Sequence, residues 1–333
     1  MSRGASVVTI GNFDGVHAGH GALVRAAAEM AKTRGATALA LVFDPHPSVV
    51  LSPAGEAGAP ARIMPFAARE RALRSLGADG VIRLEPTRAL LSQAPEAFVD
   101  EVIRVHGAVG FVEGTDFCFG KGRAGTVETL CLLGKARGVE VRVVQPVEVV
   151  LSDHQAVRVS STLCRWLLKQ GRVDDFRRAT GRSHALEGDV IRGDRRGRGI
   201  GFPTANLQTA DLLPGDGVYA ARAVLPGTED VFAAAVNVGE RPTIAGATRT
   251  VEAHLIGVAG ASPTDAWAPL PGLPEYGWPL RLELVAWLRD QFRFDGLDSL
   301  KAQLGRDCLR AVEVVGRSSR LPVEPAVLEG AAL

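Results

Sequence analysis

The feature that most constrains this chain is a change of texture near residue 183. Before it, short apolar runs alternate with helical segments; after it, strands follow one another with only turns between. Val7–Phe13, Thr37–Phe43, Gly80–Leu84, Val109–Glu113 and Val139–Val144 are brief, rich in Val, Ile or Phe, and bounded by Gly, Asp or Pro, as buried strands are. Gly21–Arg34, stopped by Gly35, reads as a helix, and so do Pro65–Leu76, Pro95–His106 and Thr126–Arg137. Such alternation predicts a doubly wound, Rossmann-like α/β sheet with helices on both faces. Ala185–Arg192, Gly217–Leu225, Val231–Val238, Thr250–Ile256 and Leu280–Leu288 then predict a small, mainly β barrel or sandwich, closed by a helix over Leu297–Val312. The expected division is an α/β domain over 1–183, a β domain over 184–312 and a loose tail over 313–333. The Pro-rich stretch Ala259–Trp278 reads as a long loop.

Charge narrows the function. Lys and Arg total 38 against 37 Asp and Glu, a net +1, which argues against a dedicated nucleic-acid binder. Residues 1–183 carry 23 basic and 18 acidic groups (+5), and residues 184–333 carry 15 and 19 (−4), a weak bias of the first half toward polyphosphate. No apolar run approaches the roughly 18 residues of a membrane span, and no secretory signal is visible. Cys118, Cys131, Cys164 and Cys308 form no Cys-x-x-Cys pair. A cytoplasmic, reduced protein without membrane or nucleic-acid partners is expected; the oligomeric state is not legible.

The first strand runs into Gly11-Asn12-Phe13-Asp14-Gly15-Val16-His17-Ala18-Gly19-His20, and a helix follows. In a doubly wound sheet, ligands sit beyond the carboxyl ends of the strands, and a helix start offers free N–H groups to phosphate. His17 and His20, three apart, share one face of a first helical turn and could stabilise a phosphate gaining charge. The plainer alternative is two polar residues at a helix start. Zinc fits worse, because no third and fourth ligands are spaced nearby. Gly114 to Lys121 resembles a phosphate-binding P-loop but fails its spacing, and Gly122 stands where Ser or Thr is required. Asp44-Pro45-His46-Pro47 follows the second strand and should face the same crevice. Ser160, Ser161 and Thr162 precede a helical run containing Arg165, a set suited to phosphate oxygens or, more simply, to helix capping. In the second half, a Gly-rich loop leads to Gly201-Phe202-Pro203-Thr204-Ala205-Asn206. It could cradle phosphates and a hard cation through Thr204 and Asn206, or it could be a glycine-rich hairpin.

Gly-Asn-Phe-Asp-Gly-Val-His-x-Gly-His, Pro-His-Pro, Asp116-Phe117-Cys118-Phe119-Gly120 and Ser-Ser-Thr-x-x-Arg, in this order, resemble the bacterial bifunctional riboflavin kinase/FAD synthetase family. The second half adds Gly-Phe-Pro-Thr-Ala-Asn, Gly217-Val218-Tyr219-Ala220, Asn237 to Thr243, Val251-Glu252-Ala253-His254-Leu255 and Arg289 through Asp307. The resemblance covers about residues 7–310. Cys164, a longer segment between Ile256 and Pro279, and the tail after Val312 depart from the family pattern.

The resemblance implies two activities. The β-barrel kinase domain would phosphorylate riboflavin to FMN with ATP: Gly201, Thr204 and Asn206 would hold ATP, Thr204 and Asn206 would hold Mg²⁺, and Glu252 would take the proton of the riboflavin 5′-hydroxyl. The α/β nucleotidyltransferase domain would join FMN to a second ATP, giving FAD and pyrophosphate, again with Mg²⁺ bridging phosphates. There His17 and His20 would steady the reacting phosphates. Gly11, Asn12, Phe13, Asp14, Gly19, His46, Ser160, Ser161, Thr162 and Arg165 would hold the nucleotide. Asp116, Phe117 and Arg289 would lie near the flavin. The partners implied are small molecules only. Competing readings are one retained activity, a flavin carrier without turnover, or a class I aminoacyl-tRNA synthetase. The last would normally carry a Lys-Met-Ser-Lys-Ser-like loop, which this sequence lacks.

Overall fold

The computed structural model describes residues 4–225, 231–243, 246–256 and 273–318. Most of the Pro-rich stretch and the tail beyond Ser318 lie outside the described residues. The described chain forms two compact units, which divide between Thr162 and Leu163; Leu151–Gln155 groups with the second.

The first unit is built on five parallel strands, β1 (Ser6–Gly11), β2 (Thr37–Phe43), β3 (Gly80–Leu84), β4 (Ala108–Gly114) and β5 (Glu140–Val144), in the order β3-β2-β1-β4-β5. Its main helices are α1 (Ala18–Arg34), α2 (Phe66–Ser75), α3 (Pro95–His106) and α4 (Val127–Arg137). Residues alternate across β1 as a strand requires. Val8 and Ile10 pack with Phe98, Val99 and Val102 of α3 and Leu130 of α4, while Val7 packs with Ala27, Met30 and Ala31 of α1. Both faces are therefore covered, which is why β1 is apolar almost throughout.

In the second unit, α5 (Ser161–Lys169, whose first two residues belong to the first unit) and α6 (Val173–Thr180) lead into a closed barrel. Its strands are β6 (His184–Ile191), β7 (Ala205–Gln208), β8 (Gly217–Val224), β9 (Val231–Thr243), β10 (Gly246–Ile256) and β11 (Pro279–Arg289), all antiparallel, in the order β6-β7-β10-β9-β8-β11, with β11 returning to β6. Leu280, Leu282 and Leu284 face the core while Arg281 pairs outside with Glu187 and Glu283. Helix α7 (Leu297–Ser318) lays Ala311 against Ala220 and Ala235, small residues that let helix and barrel approach closely.

The structure departs from the sequence-based expectations in four places. β1 stops at Gly11 rather than Phe13, because Phe13 takes a left-handed φ of 48° that no strand tolerates. β7 is absent from the expected strands; four residues are too few to display a period. α6 groups with the barrel rather than with the first domain, where Phe176 meets His184 edge-on at 5.4 Å. α7 continues past Val312 into the expected tail, where Val315 is buried and Glu313 pairs with Arg310 and Arg317.

Candidate active sites

The first site lies where β1 and β4 part. β1 pairs with β2 along its whole length, but with β4 only from Ser6 to Val8. Strand order reverses here, the place where open α/β sheets bind ligands. The Ile10 N–H, freed from the ladder, donates to Glu113 Oε1 at 2.7 Å. Glu113 is buried, and desolvation pushes its carboxyl well above the ordinary value despite that bond.

Beyond Gly11 the chain makes a tight turn. Phe13 (φ 48°) and Val16 (φ 39°) both sit in the left-handed region, yet both are buried. Such residues cost on the order of 1–3 kcal/mol each and persist only when their surroundings fix them. The fixing groups are visible. Asp14 is buried, and its carboxylate accepts from the Ile63 N–H at 3.0 Å and the Met64 N–H at 3.1 Å. The Ser161 hydroxyl donates to the Asp14 carbonyl at 2.8 Å. The Arg69 guanidinium, 3% exposed, donates to the carbonyls of Asn12 (2.7 Å) and Phe43 (3.0 Å) and pairs with Asp44. Arg83 reaches the other Asp44 oxygen at 2.5 Å.

The turn delivers His17 to the N-cap of α1, where its Nδ1 accepts from the His20 N–H at 3.4 Å. A backbone N–H can only donate, so Nδ1 is unprotonated and the ring proton belongs on Nε2. The His17 and His20 rings stack at 3.7 Å, and Phe13 flanks His20 at 5.1 Å. A Cβ on Gly19 would come within 3.2 Å of the His17 ring, so the small residue makes room for the stack. Two imidazoles at a helix N-terminus beside a strand-end crevice form a donor set for phosphate oxygens. The buried Asn12 Oδ1 has no hydrogen-bond partner among the described residues.

The other expected residues of this unit are placed as follows. Ser160 and Thr162 flank Ser161 at the start of α5, and Arg165 is one turn further along that helix, in the part grouped with the second unit. His46 Nδ1 accepts from the Ser48 N–H at 3.2 Å and meets its hydroxyl at 2.6 Å. Asp116 pairs with Arg158 at 3.0 Å, and Phe117 stacks on Phe119 at 5.3 Å.

The second site is a pocket on the barrel. Register sets Glu252 of β10 directly beside Asn206 of β7 on one flank and Asn237 of β9 on the other. Val251 and Ala253 are buried in the core, so Glu252 turns to the opposite face. Thr204, two residues before Asn206, shares that pocket with Glu240 and Thr250. Asp194, Arg195 and Gly197 of the Gly-rich loop form its other wall. A Cβ on Gly193 would fall 2.3 Å from Asn206 Nδ2, so the loop closes on that amide only because residue 193 has no side chain. Thr204 is aimed by its neighbour: Pro203 O accepts from His254 Nδ1 at 2.7 Å, and burial holds His254 below its ordinary value, hence neutral. Arg195 and Arg198 both donate to Tyr276 Oη (2.9 and 3.2 Å) and pair with Glu275 (3.1 and 2.7 Å), a clasp joining the Gly-rich loop to the entry of β11. Those arginines hold the Glu275 carboxyl below its usual range.

Arg289 is placed away from the pocket row. Its guanidinium forks onto the buried Asp307 of α7 (3.0 and 2.7 Å), fastening the last strand to the closing helix. The oxygen-rich set of Thr204, Asn206, Glu240 and Glu252 suits a hard cation such as Mg²⁺. Sequence reasoning missed Glu113 and Arg69, and it placed Asn237 and Glu240 in a motif and Tyr276 at a landmark without giving any of them a role; a polar residue interrupting an apolar strand run, at 113 and 237, was the one local signal.

Comparison with known proteins agrees with this architecture. Residues 1–163 match the FAD synthetase family and residues 180–315 the riboflavin kinase family. Proteins described as bifunctional riboflavin kinase/FMN adenylyltransferase are similar along nearly their whole length. The one from Escherichia coli (strain K12) is 34% identical over 312 residues, 93% of each chain. The one from Bacillus subtilis (strain 168) is 30% identical over 315 residues, 92% of each. A crystal structure described as a macrolide-efflux protein from Streptococcus pneumoniae superposes with a TM-score of 0.79 at 28% identity, covering 92% of this chain and 93% of that one. That description belongs to the other protein; among the described residues here, no helix is long and apolar enough to cross a membrane. With both family matches falling in order on the sheet and on the barrel, the chain belongs to the bifunctional riboflavin kinase/FMN adenylyltransferase family.

Proposed function

We propose that each unit carries one of the two activities and that the residues assembled above perform them. The observation that carries this reading is the row Asn206–Glu252–Asn237 set across three barrel strands beside Thr204. In the barrel, the riboflavin 5′-oxygen attacks the γ-phosphorus of ATP, the bond to the bridging oxygen of ADP breaks, and the hydroxyl proton passes to Glu252. Phosphoryl transfer asks the protein mainly for position and charge stabilisation, with a modest base. Thr204 and Asn206 would hold Mg²⁺, which when bound neutralises phosphate charge. Gly201 and its loop shape the phosphate side.

In the sheet unit, an FMN phosphate oxygen attacks the α-phosphorus of a second ATP and pyrophosphate leaves. The nucleophile is already an anion, so no base is required. His17 and His20 donate to the phosphate oxygens as charge moves onto pyrophosphate, and the Gly11–Asp14 turn, Gly19, His46, Ser160, Ser161, Thr162 and Arg165 hold the nucleotide. Asp116 and Phe117 border the flavin. Arg289 acts on the kinase site indirectly, through the elements it fastens. The kinase module takes the barrel together with α6 and α7 and the transferase module takes the sheet unit, with the enzyme working in the cytoplasm on small molecules.

The test is a chromatographic product assay of the whole chain with riboflavin, ATP and Mg²⁺, repeated from FMN. FMN followed by FAD is expected. FMN alone would remove the transferase role from the first unit, and no ATP consumption with either flavin would remove both.

A further inference from the structure

Glu252 has an amide on each flank, and the reading above gives a chemical role to only one of them. Asn206 is taken by the phosphate side; Asn237, directly opposite Glu252 in the β9–β10 register, belongs to the row but has no task in it. Side chains paired in this way across antiparallel strands stand about 4.5–5.5 Å apart at Cβ. We propose that Asn237, aimed by Gln291, is a positioning residue that donates a hydrogen bond from Nδ2 to the Glu252 carboxylate and directs its proton-accepting oxygen into the pocket. The inference rests on Glu252 being the kinase base.

The orientation of Asn237 follows from its neighbours. Gln291 Nε2 lies 3.2 Å from the Val238 carbonyl and 2.7 Å from Asn237 Oδ1. A carbonyl oxygen only accepts, so the nitrogen end of Gln291 must face it. That nitrogen then requires the oxygen end of Asn237, which leaves the Asn237 amino group for a partner other than Gln291. Two further features hold Gln291. A Cβ on Gly239 would lie 2.1 Å from its Nε2, so a side chain there would displace the amide from this position. Arg289, forked on Asp307, also donates from Nη1 to the Asp290 carbonyl at 2.8 Å and fixes the peptide that leads into Gln291. A relay thus runs from the closing helix through Arg289 and Gln291 to Asn237 and the base. The titratable groups that share the pocket with Glu252 are Asp194 and Arg195 of the Gly-rich loop and Glu240 of β9.

The test is riboflavin kinase kcat for the whole chain, with KM for ATP measured beside it. Asn237→Asp replaces the donor with a second negative charge, so kcat should fall about tenfold or more. KM for ATP should stay within about twofold. Gln291→Leu, at an exposed position with little bearing on folding, should lower kcat about threefold to tenfold, the worth of one hydrogen bond. Unchanged kcat in both variants, or a rise in KM for ATP at constant kcat, overturns the proposal. Glu252→Gln separates the two readings. If it retains kinase turnover, the base assignment itself fails; if it abolishes turnover while Asn237→Asp keeps the wild-type kcat, only the present inference fails.

Discussion

The strand-end crevice and the barrel pocket both suit ATP phosphates, yet they are built from opposite materials. The crevice is a strained turn whose carboxylate, Asp14, is spent on backbone N–H groups and whose working face is imidazole. The pocket is a flat row of amide, hydroxyl and carboxylate groups laid across paired strands. On the proposed reading, the difference follows the chemistry. A phosphate nucleophile arrives ionised and needs donors for the charge that develops elsewhere; a hydroxyl nucleophile must lose a proton and needs an acceptor beside it. Sheet ends supply donors through a helix start, whereas register between barrel strands brings chosen side chains into a line.

The sharpest way to break this contrast is to exchange losses between the sites. Glu252→Gln should lower riboflavin phosphorylation by about 10²–10⁴-fold, the usual span for a general base, and leave FMN adenylylation intact. His20→Ala should cost FAD formation about 10²–10³-fold, as for lost oxyanion donors, and spare FMN formation. Equal loss of both products from either variant would mean one shared site.

Arg69→Met comes next. Removing one partner of a buried ion pair costs about 3–5 kcal/mol, and here it also frees the Asn12 and Phe43 carbonyls. Thermal unfolding followed by circular dichroism should start at a clearly lower temperature, and adenylylation should be lost at temperatures where kinase turnover persists. Tyr276→Phe is milder: Arg195 and Arg198 keep Glu275 but both lose the hydroxyl they share, and the hydroxyl's own bond to Glu275 goes with it. These partly exposed hydrogen bonds, at the low end of about 0.5–1.5 kcal/mol each, predict a rise of roughly tenfold in kinase KM for ATP with little change in kcat.

The smallest effect concerns pH. Burial raises Glu113 above its ordinary 4.5, so below that value both folded and unfolded chains hold the proton and its stabilising contribution is complete. As pH rises past 4.5 the unfolded chain releases the proton first, and the contribution drains away through the higher folded value. Glu113→Gln has no proton to lose. Its melting temperature relative to the parent should therefore climb as pH goes from 5 toward 8; a constant difference would show that Glu113 is not held protonated.

Much of the fold was legible because both halves write their periodicity plainly. The five sheet strands, four of their helices and five of six barrel strands follow from apolar runs and their Gly and Pro boundaries. β7 was not, since Ala-Asn-Leu-Gln is too short to show alternation. The His pair was legible because spacing within one helical turn is local. Arg69 and Glu113 were not, and Asn237 was quoted only as part of a motif: each lies in an ordinary helix or strand sequence and acquires its partners from segments distant in the chain. Arg289 shows the converse, a residue singled out by motif whose guanidinium is engaged in fastening helix to barrel.

Asp14 has a consequence for how damage to this protein should be read. Because its carboxylate accepts from the main chain at Ile63 and Met64 while its own carbonyl receives Ser161, three distant stretches are tied to the turn that carries the imidazole pair. A lesion at Ile63, buried against that turn, should therefore masquerade as a defect of the imidazole pair.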